Sequence, residues 1–78
     1  MISFCITTKN EGSYVDTLLT QIVPMLVDED EIVIIDDYSD DGETIDIINN
    51  WRNQNTEISL YQRRFQRDWV EIIGRIKL

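Results

Sequence analysis

The spacing of apolar residues alternates between two periods along this chain. Ile2 to Ile6 (ISFCI) is a short apolar segment of β character that gives way to the polar run Thr7-Thr8-Lys9-Asn10-Glu11-Gly12, so a first strand ends near Thr7 with a loop at its carboxyl end. Val15, Leu18, Leu19, Ile22, Val23 and Leu26 then recur at helical spacing as one stripe. Ser13 with Asp16 has the form of a capping box for that helix. Pro24, which has no amide to donate, should kink or end it. Asp28-Glu29-Asp30 reads as a solvated turn at the amino end of the next strand. Ile32, Val33, Ile34 and Ile35 are β-branched and apolar on both faces, as in a parallel strand covered on both sides, and the second strand should run from about Glu31 to Asp36. Asp40 with Glu43 is a second capping-box candidate, opening a helix near Glu43 that carries Ile45, Ile48 and Trp51 on one face, with Ile47 beside them. The pattern dissolves at Asn53-Gln54-Asn55. Ile58 to Gln62 alternates apolar and polar residues, a strand with one face toward solvent. Arg63 to Arg67 is a cationic loop around Phe65, and Asp68 with Glu71 would cap a last helix bearing Trp69, Ile72, Ile73 and Ile76.

The order β-α-β-α-β-α implies parallel strands joined by right-handed crossovers. The expected fold is α/β: a three-layer βαβαβα half of a Rossmann-like domain around a parallel three-stranded sheet, with residues 1–78 as one partial domain. A chain of this length buries only roughly 60% of its unfolded surface, so its stability margin should be thin. It has no apolar run long enough to span a membrane and no signal-peptide pattern, which makes a cytoplasmic location the expectation. The single cysteine, Cys5, cannot form an internal disulfide and is expected to be a small buried hydrophobe.

The net charge of −8 argues against general nucleic-acid binding. Its distribution is uneven. Residues 1–62 hold 13 acids against Lys9 and Arg52, a balance of −11, whereas residues 63–78 hold five basic residues against Asp68 and Glu71, a balance of +3. The basic end either pairs with the acidic body or presents Arg63, Arg64 and Arg67 to an anion.

Candidate chemistry concentrates where the second strand ends, in Asp36-Asp37-Tyr38-Ser39-Asp40-Asp41-Gly42. Ligands of open α/β sheets bind at such carboxyl ends. An EF-hand-like calcium loop would use Asp37, Ser39, Asp41 and Gly42, but its twelfth position is Ile48 where a bidentate Glu is required. A phospho-acceptor receiver site would need an Asp on a later strand and a distant Lys that the chain lacks. Two readings remain from the residues: helix capping with solvated acids, and a nucleotide site.

The stretches ISFCITTKNEG and IVIIDDYSDDGET resemble the opening of family 2 glycosyltransferases with the GT-A fold, where a strand ends in P-x-Y-N-E and a later one in V-V-D-D-x-S-x-D-G-T. The second motif matches closely, with Glu43 as one extra residue; the first has Thr7 for the usual Pro and Lys9 for the usual Tyr. YQRRFQRDWVEIIGR resembles the family's passage from its third strand into the next helix. The resemblance implies a nucleotide-sugar site, for UDP-sugars foremost. Thr7 and Asn10 would lie by the base or first loop, Glu11 near the ribose hydroxyls, and Asp37 on a base N–H. Asp36 would orient the loop, and Arg67 would meet the base or diphosphate, with Arg63 and Arg64 as weaker candidates. Lys9 removes the stacking contact of the usual Tyr. The family's metal-binding Asp-x-Asp, which holds Mn²⁺ or Mg²⁺, its catalytic base and its acceptor site all come later than the matched part. Hence no catalytic residue, metal ligand or cofactor is assigned to this chain, which reads as a truncated, donor-binding part of a domain. Full-length relatives would transfer the sugar to an acceptor hydroxyl. The alternative is a non-catalytic α/β interaction or assembly module. Because the first strand pairs with a later one in the family, Ile2 to Ile6 should form an exposed edge here and favour a homodimer or higher oligomer.

Overall fold

Ile32 to Ile35 occupy the centre of a three-stranded parallel sheet. The computed structural model describes residues 1–63. In order these form β1 (Ser3–Thr8), α1 (Gly12–Ile22), a 3-10 turn (Val23–Met25), β2 (Glu31–Asp37), α2 (Glu43–Gln54) and β3 (Ile58–Arg63). The sheet order is β1-β2-β3, with both pairings parallel. The architecture is that of a half Rossmann-like α/β domain. Among the described residues it comprises the sheet and one helical layer; the last expected helix, which would supply the other layer, lies outside them, as do Arg64 and Arg67.

Strand β2 is the middle strand because only its sequence can be buried on both faces. Ile32 and Ile34 are fully buried on one face, and Val33 and Ile35 are buried on the other, packed with Tyr61. The first face joins Ile6 and Ile58 of the neighbouring strands to Val15 and Leu19 of α1 and Ile48 of α2 in one core. Both helices therefore lie on one side of the sheet, as right-handed crossovers between adjacent strands require. Each fully buried aliphatic side chain contributes roughly 1.5–3 kcal/mol. No helix among the described residues is long and apolar enough to cross a membrane.

Helix α1 ends where Pro24 sits in the 3-10 turn, as its missing amide dictates. Its start departs from the capping-box expectation. The helix begins at Gly12, its N-cap is Glu11, and no side chain caps it. Ser13 is inside the first turn, and Asp16 instead accepts from the indole Nε1 of Trp51 at 2.8 Å, tying α1 to α2. Gly12 is buried in that helix pair. A Cβ there would lie 2.8 Å from Ile47 Cδ1 and 3.0 Å from Thr44 Cα.

Two further expectations are corrected. Cys5 is exposed, because it stands on β1, an edge strand among the described residues, and alternates with the inward-facing Phe4 and Ile6. Asp30 is not a solvated turn residue but a buried clasp. Its Oδ1 accepts from Ile2 N at 2.8 Å and its Oδ2 from Val27 N at 3.0 Å, while Glu31 N donates to Ile2 O at 2.9 Å. The clasp fixes the start of β1 against the start of β2 and sets their register, Ser3 opposite Glu31. The Val27 amide, then the Ile2 amide, hold the Asp30 carboxyl below its ordinary value of 3.8.

Replacing Gly12 by Ala should destabilise the chain by about 1–3 kcal/mol, the usual cost of overpacking, measured as a lower urea midpoint with an unchanged slope. Since the folded-state pKa of Asp30 is depressed, its contribution is present above the unfolded value of 3.8 and is lost as pH falls through the lower folded value. Urea midpoints should therefore drop as pH is lowered through that window, and Asp30→Asn should be less stable at pH 7 and show a shallower acid dependence.

Candidate functional site

The carboxyl ends of the three strands bring together stretches that lie far apart in the chain. Thr8 stands opposite Asp36, Asp36 opposite Gln62, and Asp37 opposite Arg63. Alternation along β2 then separates the acidic pair. Asp36 falls on the helix-covered face and is 1% exposed; Asp37, one residue on, falls on the other face with its side chain 36% exposed.

A buried carboxylate must be hydrogen-bonded. Asp36 accepts from Ser39 N at 2.9 Å through Oδ2 and from the Ser39 hydroxyl through Oδ1. Closing this turn puts Tyr38 at φ 63°, a left-handed conformation that costs a non-glycine residue roughly 1–2 kcal/mol. The two bonds from Ser39 hold it there. Ser39 also receives a bond from the first loop, Asn10 N to Ser39 Oγ at 2.9 Å. The Asn10 side chain completes the joint: Oδ1 accepts from Asp40 N at 2.9 Å and Asp41 N at 3.2 Å, and Nδ2 donates to Asp40 Oδ1 at 2.9 Å. Asn10 itself has φ 53°, a region that Asn tolerates better than most residues.

Asp41, rather than Asp40, caps α2. Its Oδ1 accepts from Glu43 N at 3.2 Å and Thr44 N at 3.0 Å, and its Oδ2 from the Thr44 hydroxyl at 2.7 Å. The Thr44 amide, then its hydroxyl, lower the Asp41 pKa. Asp40 cannot take this role because Asn10 holds it. Gly42 is the N-cap residue of α2, at φ 73°.

Asp37 pairs with Arg63, whose Nε and Nη2 both approach Oδ1. This pair divides two clefts. Asp37 lines one of about 370 Å³ with Thr7, Thr8, Lys9 and Glu11. Arg63 lines the other, of about 270 Å³, with Asp36, Tyr38, Ser39, Asp40 and Gln62. A larger but open depression of about 640 Å³ along the start of α2 is lined by Asp41, Glu43 and Asp46 and has no basic residue among the described residues of its wall, which disfavours an anionic ligand there.

The structure thus gathers Thr7, Glu11 and Asp37 around one cleft, while Asn10 and Asp36 brace its loops from behind. Arg67 lies outside the described residues. Sequence reasoning missed Ser39, the hub between the two loops, although its place after the acidic pair was a signal. It also missed Thr8, whose buried Oγ1 has no hydrogen-bond partner among the described residues although the residue lines the first cleft. Arg63 ranked below Arg67 because only strand register puts it beside Asp37.

The acids do not form a metal ligand set: no group of three or more candidate ligands clusters among the described residues. Asp36 and Asp41 are committed to neighbouring donors, Asp40 accepts from Asn10 Nδ2 through Oδ1, Ile48 is buried in the core, and Asp30 of the Asp-x-Asp turn spends both oxygens on backbone amides. The divalent cation that the family resemblance implies therefore does not fit these residues.

Among known protein families, the model described as Glycosyl transferase family 2 aligns with residues 3–71. No curated protein and no solved structure gives a significant match.

If the Asn10 side chain joins the two loops, Asn10→Gly, which keeps the left-handed backbone accessible, should speed hydrogen exchange at the Asp40 and Asp41 amides and cost about 1–2 kcal/mol in stability. Amides within β2 should keep their relative protection.

Proposed function

The chain belongs to glycosyl transferase family 2, and on that premise we propose that it is the nucleotide-binding part of a glycosyltransferase domain, built to hold a nucleotide sugar, a UDP-sugar foremost. The observation that carries this reading is the cleft at the carboxyl ends of β1 and β2. It places residues from both motif stretches, Thr7, Thr8, Lys9 and Glu11 from one and Asp37 from the other, on a common wall. In an open α/β sheet, ligands bind at such an address.

The roles follow from donor and acceptor chemistry. Asp37, paired with Arg63 through Oδ1, offers Oδ2 to a base N–H. Glu11 accepts from ribose hydroxyls, and Thr7 lies by the base. The buried Thr8 hydroxyl supplies one more polar group at the cleft. Asn10 and Asp36 hold the loops that carry these residues. Arg67 is the proposed contact for the diphosphate or base, because a guanidinium matches phosphate oxygens. Transfer of the sugar to an acceptor hydroxyl is the activity proposed for relatives that carry the family's later Asp-x-Asp motif, which would hold Mn²⁺ or Mg²⁺.

Calorimetric titration with UDP and UDP-sugars tests the reading. The expected result is saturable binding with a Kd at or below about 1 mM, weakened roughly tenfold or more by Asp37→Ala, as loss of a charged hydrogen bond predicts. No binding at millimolar nucleotide, or an Asp37→Ala protein that binds as before, would overturn it.

A further inference from the structure

We propose that Arg63 determines which nucleobase the site accepts, by occupying one oxygen of Asp37 and leaving the other to read a single N–H. The inference rests on the nucleotide reading above but deepens it, since that reading favours UDP-sugars without assigning a residue that selects the base. Both guanidinium contacts converge on the same atom, Oδ1. Oδ2 accepts no hydrogen bond among the described residues, and Asp37 remains 36% exposed on the cleft with Thr7, Thr8, Lys9 and Glu11. Arg63 lines the neighbouring cleft instead.

A bare carboxylate offers two acceptor oxygens side by side and is matched by a partner with two adjacent donors, as in its bidentate pairing with Arg. Guanine presents such a pair, N1–H and the N2 amino group. Uracil presents one donor, N3–H, between two carbonyl oxygens. With Oδ1 covered, a guanine would direct its second donor at an oxygen already engaged, whereas uracil needs only Oδ2. The guanidinium charge also offsets the negative charge that would otherwise face the carbonyls flanking N3. Register makes the arrangement local and durable. Asp37 and Arg63 are direct partners across parallel strands, so the pair needs no loop to assemble it.

Competition titrations with UDP and GDP on the full chain, with base identity as the only variable, provide the test. The wild-type chain should bind UDP about tenfold or more tightly than GDP, the discrimination expected when one donor is left without an acceptor. Arg63→Ala should reduce that preference to within about threefold, chiefly by tightening GDP, and Arg63→Lys, which keeps a cation for Oδ1, should retain most of it. Arg63→Leu, which keeps an aliphatic stem at the end of β3, is the second variant should the alanine protein not fold. The ratio between bases is informative because a purely structural role would weaken both nucleotides together. Equal affinities in the wild-type chain, a preference for GDP, or an unchanged ratio in the Arg63→Ala or Arg63→Leu protein would overturn the inference while leaving nucleotide binding intact. Binding of neither nucleotide would instead remove the reading on which it rests.

Discussion

Burial of β2 on both faces is the constraint from which the remaining structure follows. A strand that carries Ile32 to Ile35 can only be the middle of a sheet, so β1 and β3 must flank it, and parallel pairing obliges each connection to cross over through a helix. Its carboxyl end then emerges beside the ends of both neighbours. The burial does not stop with the last isoleucine. It extends through Asp36, which is 1% exposed, and a buried charge must be satisfied locally. Ser39 answers that demand with two bonds, and the resulting turn projects Asp37, Asp40 and Asp41 in different directions.

That separation explains how a strongly acidic loop remains folded without a metal ligand set among the described residues. Each carboxylate has its own partner: Ser39 for Asp36, Arg63 for Asp37, Asn10 for Asp40, and the first turn of α2 for Asp41. At the opposite pole of the sheet Asp30 performs a similar task for the start of β1. The acids are largely structural hydrogen-bond acceptors, and Asp37 is the one of this loop that lines the cleft shared with Thr7, Thr8, Lys9 and Glu11. Capping and ligand binding, which competed as readings of the loop as a whole, therefore divide between its members, with Asp41 capping and Asp37 facing the cleft.

The element order and most boundaries were legible because periodicity reports burial directly. β2 ends one residue later than expected, β1 extends to Thr8, and α2 opens at Glu43 as anticipated. The failures share a cause. Ser13 with Asp16 and Asp40 with Glu43 satisfied a local spacing rule, but Trp51 and Asn10, distant in sequence, claimed Asp16 and Asp40. Cys5 has a residue type that is usually buried, but its place on an edge strand exposes it. Asp30 looked like any turn acid until the Ile2 amide came within reach.

By itself, then, the sequence determined the α/β order, the parallel sheet, the burial of β2 on both faces and the family, because these depend on apolar spacing and on contiguous motifs. Only the tertiary structure decided which acid does what. Partner choice among chemically similar carboxylates depends on strand register and on contacts between loops some 30 residues apart, such as Asn10 with Asp40. The pairing of Asp37 with Arg63 is the clearest case: nothing near either residue in the chain announces it, yet the register of β2 on β3 makes them direct neighbours.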